Sequence, residues 1–286
     1  MADLAGTVLD ALARLGLTPA DPTVVPIAVD QTNESFVVGG AYVVKLRPEP
    51  VADDDVALLR LRRLREAGAD CTPAFHGVTG RALVTSYVRG AVDGWTWCVG
   101  EARAALGLDG VDVPGAPVGT TRVRPGWARD LGTLTARMHH ALAVADGLVL
   151  GHGDYHVGQV LRDPDGRLWV IDFDGNPVLP AEERAAPRPT AYDVAGMLVS
   201  LENVGHVVRH HALRQGAALP DEPVVAWTEQ VRDEFLAAYR VDGTLDETLL
   251  EPYVDEQIQR ELAYADAHLP RWRYVPEAAL ARRARS

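Results

Sequence analysis

The spacing of apolar residues along the chain changes several times. Leu4, Val8, Leu9, Leu12 and Leu15 recur at helical spacing behind Asp3, a residue suited to capping a helix, and Gly16 and Pro19 close the segment. From residue 22 to 47 the pattern becomes that of strands. Val24 to Val29, Phe36 to Val38 and Tyr42 to Leu46 are three β-rich runs, the last entered through Gly39-Gly40. Pro48 and Pro50 stop the sheet, Asp53 to Ala67 reads as a helix, and Ala82 to Val88 is a further strand running into Gly90. Beyond it the pattern is mostly helical: Trp95 to Leu106, a Gly/Pro-rich loop over 107–120, then Trp127 to Ala145 with Leu131, Leu134 and Met138 on one face. Short strands joined by the turn Asp163-Pro164-Asp165-Gly166 occupy 151–177, and 190–268 is helical with breaks at Pro220, Gly243 and Pro252. This order predicts an α+β chain with a small β-rich lobe over 1–88 and a larger helical lobe over 89–286.

Composition narrows the class. At 286 residues, 47% apolar and 24% charged, the chain has the makeup of a globular enzyme. No apolar run reaches the roughly 20 residues of a membrane span, and the amino terminus lacks a secretory pattern. Cys71 and Cys98 are too few for a disulfide framework, which points to the cytoplasm. A net charge of −12 argues against a nucleic-acid surface. No feature of the sequence speaks to oligomeric state. Of the 28 basic residues, 27 are arginine and one, Lys45, is lysine. A compact ammonium and a planar fork are not interchangeable at a crowded phosphate, so this exception marks Lys45 as a candidate for chemistry.

Residues 151–175 read GHGDYHVGQVLRDPDGRLWVIDFDG. Asp154 sits in a His-Gly-Asp turn, Gln159 follows five residues later, and after a strand pair comes Asp172 in Asp-Phe-Asp-Gly. Phosphoryl transfer from ATP needs these parts: a carboxylate beside the acceptor hydroxyl and two oxygen ligands for Mg2+ near the phosphates. Protein kinases space His-Arg-Asp, Asn and Asp-Phe-Gly in the same way. Here Gln159 takes the Asn position and Gly153 the Arg position.

With these motifs the chain resembles the aminoglycoside phosphotransferase-like kinases, and more closely the bacterial maltokinases and related actinobacterial glucosamine kinases. The matching stretches are VTSYVRGAVDGWTW, HGDYHVGQVL, VIDFDGNPVLPAEER, YDVAGMLVSLENVGH and YADAHLPRWRYVP, which span most of 82–276. The last is nearer to glucosamine kinases. Maltokinases carry an amino-terminal cap of many tens of residues, whereas residues 1–23 alone precede the first predicted strand here, so maltose specificity is not expected. The resemblance implies a bilobal protein-kinase-like fold and an ATP- and Mg2+-dependent kinase for a small sugar or amino sugar. Glucosamine, phosphorylated at its 6-hydroxyl, comes first; another saccharide, a cyclitol or an aminoglycoside follows.

The resemblance and the chemistry assign the same roles. Asp154 would deprotonate the acceptor hydroxyl, with Gln159 and Asp172 holding Mg2+. Asp174 would aid a second metal, orient substrate or simply form the turn, while His156 would contact substrate or pack. His152 is read as holding the loop. Lys45 lies where kinase-like folds grip the α- and β-phosphates, with an acidic partner expected from the next helix, Asp54 or Asp55 ahead of Asp53. The segment Gln31 to Ser35 would cover phosphates, using Asn33 and Ser35 among others, and backbone groups of Ser86, Tyr87 and Val88 would pair with adenine.

The acceptor side is read from charge. Residues 221–268 carry 13 acidic residues and three arginines, so they hold −10 of the −12. Most of these acids suit solvated helix faces. Gln257, Glu261 and Tyr264 fall on one face and suit a sugar bearing an ammonium. Trp272 would stack on the sugar, close the pocket or pack in the core. Two other classes compete: a metallohydrolase built on His152, Asp154 and His156, and a silent nucleotide-binding module. The first leaves Lys45, Gln159 and Asp172 unexplained, and the second leaves unexplained why every catalytic position is filled.

Overall fold

The computed structural model describes residues 2–27, 34–119, 122–145 and 147–284. Helix α1 (Ala2–Arg14) is followed by strands β1 (Val24–Pro26), β2 (Glu34–Val38) and β3 (Tyr42–Leu46), helix α2 (Val56–Glu66), and strands β4 (Phe75–Thr79) and β5 (Ala82–Ser86). The five strands form one antiparallel sheet in the order β1-β2-β3-β5-β4. Val8, Ala11 and Leu12 of α1, spaced i, i+3 and i+4, bury against Phe36, Val38, Val44, Leu46 and Val84. Alternation along β3 sends Val44 and Leu46 into that core and leaves Lys45 on the opposite face. β4 is absent from the sequence reading: Gly77, at φ 142, interrupts its apolar pattern.

The helical part begins with α3 (Gly94–Ala105) and α4 (Trp127–Leu142). Strands β6 (Ala143–Ala145), β7 (Leu148–Val149), β8 (Val160–Arg162) and β9 (Leu168–Val170) follow, then α5 (Ala181–Ala185) and β10 (Arg188–Pro189). The long helices α6 (Ala191–Arg214), α7 (Asp221–Asp242) and α8 (Glu247–His268) precede α9 (Tyr274–Arg283). Two expectations are corrected. The α4 pattern runs past the helix, because Ala143 turns extended and its segment pairs with β7. Pro252 does not break a helix either, since it sits early in α8, where one lost backbone bond is tolerated. The Asp163 turn forms as read, with its carboxylate accepting from Asp165 N, Arg167 N and Trp169 Nε1 at 3.0, 2.9 and 3.0 Å.

α6 is the spine of this part. Ala191, Val194, Ala195, Leu198, Val199, Leu201, Val204 and Val208 are all buried, so apolar residues surround the helix rather than striping it. At Gly94 a Cβ would stand 1.6 Å from Val157 O, so only glycine lets the start of α3 approach the segment 151–159 this closely.

Candidate active site

Three polar side chains of α6 hold the site from below. Asp193 Oδ2 accepts from His152 N at 2.6 Å, and Oδ1 from Gly153 N at 2.8 Å. Ser200 Oγ accepts from Val157 N at 3.0 Å, so both ends of the loop bearing Asp154 are pinned to one helix. Asp193 is itself buried and touches His139 Nε2 at 3.2 Å, whose other ring nitrogen meets Tyr239 Oη at 2.8 Å. Burial alone would raise the Asp193 carboxyl. The His139 hydrogen bond, the neighbouring imidazoles and the Gly153 N–H outweigh it and hold the group at about 2.

His152 is fully buried and works within the loop. Its Nε2 faces Ile171 O at 2.8 Å, while Nδ1 accepts from Asp154 N at 3.4 Å, and burial lowers its pKa. The loop is thereby tied to the residue preceding Asp172. Ile171 N donates to Gln159 O at 2.9 Å, which sets Gln159 beside the same turn. Asp154 keeps a half-buried carboxylate that takes no hydrogen bond from another described side chain.

Lys45 closes the arrangement from the sheet. Its Nζ lies 2.6 Å from Asp172 Oδ1 and 2.7 Å from Asp174 Oδ2, across separations of 127 and 129 residues. Among the described residues, Asp172 alone of the non-glycine residues has positive φ, 62°, a conformation aspartate tolerates better than most. Arg47, two residues past Lys45 and just beyond the end of β3, grips Asp174 through both terminal guanidinium nitrogens at 2.8 Å. Burial acts to raise Asp174, and the charges and hydrogen bonds of Lys45 and Arg47 bring it below the ordinary aspartate value.

Several expectations on the nucleotide side change here. Asp54 is exposed and does not reach Lys45, while Asp55 caps α2 at Leu58 N, 3.0 Å, and lies 3.6 Å from Arg47. The acids facing Lys45 come from the Asp-Phe-Asp turn, while Asp55 is engaged by its own helix and by Arg47. Asp174 pairs with Lys45 of β3 and with Arg47 just beyond it. Tyr87 N donates to Ala41 O at 2.8 Å and Ser86 N to Ala74 O at 2.8 Å, so neither of these two amides is available to adenine. Ser35 is buried directly across from Lys45 on β2, and Asn33 lies outside the described residues.

On the acceptor side, Glu261 accepts from Asn203 Nδ2 at 2.7 Å and from Gln257 Nε2 at 3.1 Å. Burial raises its carboxyl, partly offset by these bonds and by the nearby charges of His156 and Arg260. His156 accepts from Gly158 N at 3.1 Å and brings Nε2 within 3.4 Å of the Gln159 amide, so it joins the Asp154 loop to this pocket. Asn203 is buried, and its Oδ1 has no hydrogen-bond partner among the described residues. Tyr264 is 49% exposed and rests on His268. Trp272 is half-buried against the core, edge-to-face with Trp95 at 5.5 Å. The remaining acids of 221–268 behave as solvated or paired faces, as with Glu247 on Arg240 and Asp255 on Arg283.

Sequence reasoning missed Arg47, Asp193 and Asn203. Strand alternation with Lys45 was a usable signal for Arg47. An acid and an amide within the apolar run 191–208 were signals for the other two, because buried polar groups need partners.

No protein-family model matches the chain. It is 35% identical, over 94% of its length, to a glucosamine kinase of Streptacidiphilus jiangxiensis, of which it covers 78%. It is 38% identical, over 89% of its length, to a glucosamine kinase of Mycolicibacterium smegmatis, again covering 78%. Among solved structures, a glucosamine kinase in complex with glucosamine, ADP and inorganic phosphate matches with a TM-score of 0.72 at 31% identity, over 94% of this chain and 81% of that one.

Proposed function

The chain belongs to the glucosamine kinase family, and from that membership we propose that it moves the terminal phosphoryl group of ATP to the 6-hydroxyl of glucosamine. The observation that carries the catalytic half is the 2.6 Å contact between Lys45 and Asp172, in a turn hydrogen-bonded through Ile171 to both His152 and Gln159. Residues far apart in sequence are thus linked, Lys45 to Asp172 directly and His152 and Gln159 to the neighbouring Ile171.

Each residue has a task in this reading. Asp154 accepts the hydroxyl proton as the acceptor oxygen bonds to the γ-phosphorus and the bond from that phosphorus to the β–γ bridging oxygen breaks, releasing ADP. Lys45 moves from its carboxylates to the α- and β-phosphates. Gln159 and Asp172 are oxygen donors of the kind Mg2+ takes, and Asp172 Oδ2 accepts no hydrogen bond among the described residues, so the pair fits that ion. Gln159 and Asp172 would hold the ion, which would supply positive charge to offset that of the phosphates. Arg47 keeps Asp174 fixed beside Lys45.

Glu261 carries the acceptor half. A half-buried carboxylate near His156 of the Asp154 loop, held by two amides, is matched by an ammonium on the sugar ring, and Asn203 Oδ1 is a further acceptor for it. Among the described residues no helix is long and apolar enough to cross a membrane, and a cytoplasmic site of action belongs to the proposal. So does a lobe boundary at residues 88–89, just after the Tyr87–Ala41 bond. The metallohydrolase reading loses its ligand, since His152 spends both ring nitrogens on the backbone.

An ADP-release assay over glucosamine, N-acetylglucosamine, glucose, maltose, cyclitols and aminoglycosides, with NMR of the product, tests the reading. Glucosamine should be preferred and the phosphate found on O6. Equal turnover of glucosamine and its N-acetyl form would refute the acceptor assignment.

A further inference from the structure

Arg60, in the middle of α2, takes no part in the chemistry above, yet it touches both of the loops that carry it. The residue is 3% exposed and directs its guanidinium at three backbone carbonyls: Nε to Leu150 O at 3.2 Å, Nη1 to Phe173 O at 2.8 Å and Nη2 to Arg184 O at 2.8 Å. Phe173 stands between Asp172 and Asp174, and Leu150 opens the segment leading to Asp154. The two loops are shaped around the side chain. A Cβ on Gly153 would come within 3.1 Å of Nη2, and one on Gly175 within 3.0 Å of Nη1. Burial lowers Arg60 to about 10, with Asp193 and Asp174 opposing the change, so it remains a cation at neutral pH.

In protein kinases the helix after the lysine strand reports its position to the site through an acid paired with that lysine. Here Asp54 is exposed, Asp55 caps its own helix, and Lys45 turns to Asp172 and Asp174. We propose that Arg60 is a positioning residue that couples α2 to the Asp154 and Asp172 loops, in place of an ion pair between Lys45 and an acid of α2. The proposal rests on the assignment of those two acids given above. A planar fork meets three carbonyls on separate segments at once, whereas a lysine ammonium on a flexible stem cannot span all three. Without the fork, three carbonyls lose their donor, and both acids shift relative to Lys45. A displacement of about 1 Å at reacting groups costs roughly 100-fold in rate.

The test compares Arg60→Lys and Arg60→Met with wild type and with Asp54→Asn. Folding is followed by circular dichroism and thermal melting, kcat and KM are measured with glucosamine, and ADP binding is measured by calorimetry with and without Mg2+. Hydrogen exchange is followed over residues 150–156 and 171–176. In folded Arg60 variants kcat should fall about 100-fold, while KM for glucosamine changes by less than about 3-fold. The gain in ADP affinity on adding Mg2+ should shrink about ten-fold, exchange in both segments should quicken, and Asp54→Asn should match wild type. Unchanged Mg2+-dependent ADP binding and unchanged exchange in either folded Arg60 variant would overturn the proposal. Failure of both variants to fold would overturn it too, by making Arg60 a residue of the fold alone. Binding and exchange need no acceptor, so a wild-type protein inactive on glucosamine counts against the proposed function and leaves this test standing.

Discussion

Asn203 and Glu261, on α6 and α8, meet at 2.7 Å, where Glu261 also accepts from Gln257 and feels the charge of His156. The contact places a half-buried carboxylate near His156 of the loop bearing Asp154, while most of the surrounding acidic excess is spent on solvent or arginine. Under the proposed function, acceptor choice would rest on Glu261.

Replacing Glu261 by Gln should lower kcat/KM for glucosamine about 10- to 100-fold and leave glucose nearly unaffected, because a charge-assisted hydrogen bond to ammonium is lost. Burial raises the Glu261 carboxyl, and its ionised form is the one that binds. In wild type, kcat/KM for glucosamine should fall on acidification at a higher pH than an ordinary glutamate would give. A pH profile in which Glu261→Gln keeps the wild-type acid limb would sink the assignment.

Asp154→Asn removes the proton acceptor and preserves the shape of the loop. The expected result is a fall of about 10²- to 10⁴-fold in kcat, with ADP affinity in calorimetry close to wild type. Turnover at the wild-type rate would reassign the base.

Lys45→Arg keeps the charge and changes its form. The fork does not fit the space of a compact ammonium lying 2.6 and 2.7 Å from two carboxylates. KM for ATP should rise about ten-fold, and further in Lys45→Met. Steady-state kinetics with unaltered KM for ATP in both variants would count against phosphate binding by Lys45.

Acid stability reports on Asp193. Its carboxyl drops from the ordinary value near 4 to about 2 on folding, so it stabilises the fold above pH 4 and ceases to do so as pH falls from there towards 2. The contribution at neutral pH is about 2–3 kcal/mol. Urea unfolding at pH 7 should show Asp193→Asn less stable by a similar amount, and the difference should narrow by pH 3. A constant gap between the two proteins across that range would argue against the linkage.

Local chemistry made much of this molecule readable. The β3 strand is found over the residues expected, Tyr42–Leu46, since alternation and two flanking glycines leave few alternatives. Asp154, Gln159 and Asp172 were legible because turn residues and strand signals fix their spacing. The partners of Lys45 were not legible, because an ion pair across 127 residues depends on how the sheet settles on the helices. Asp193, Ser200 and Asn203 were hidden for a related reason. α6 is buried around its whole circumference, so its periodicity does not say which polar residues face the loop. Arg60 was one of 27 arginines, and only the backbone carbonyls it meets set it apart.

Lys45 is the one lysine of the chain, and its amine lies within an ion-paired cluster at 15% exposure. An acylating or aldehyde reagent would find a single side-chain target, poorly accessible until its carboxylate neighbours let go. Under the proposed function bound nucleotide would shield that amine, so loss of labelling on adding nucleotide would report occupancy.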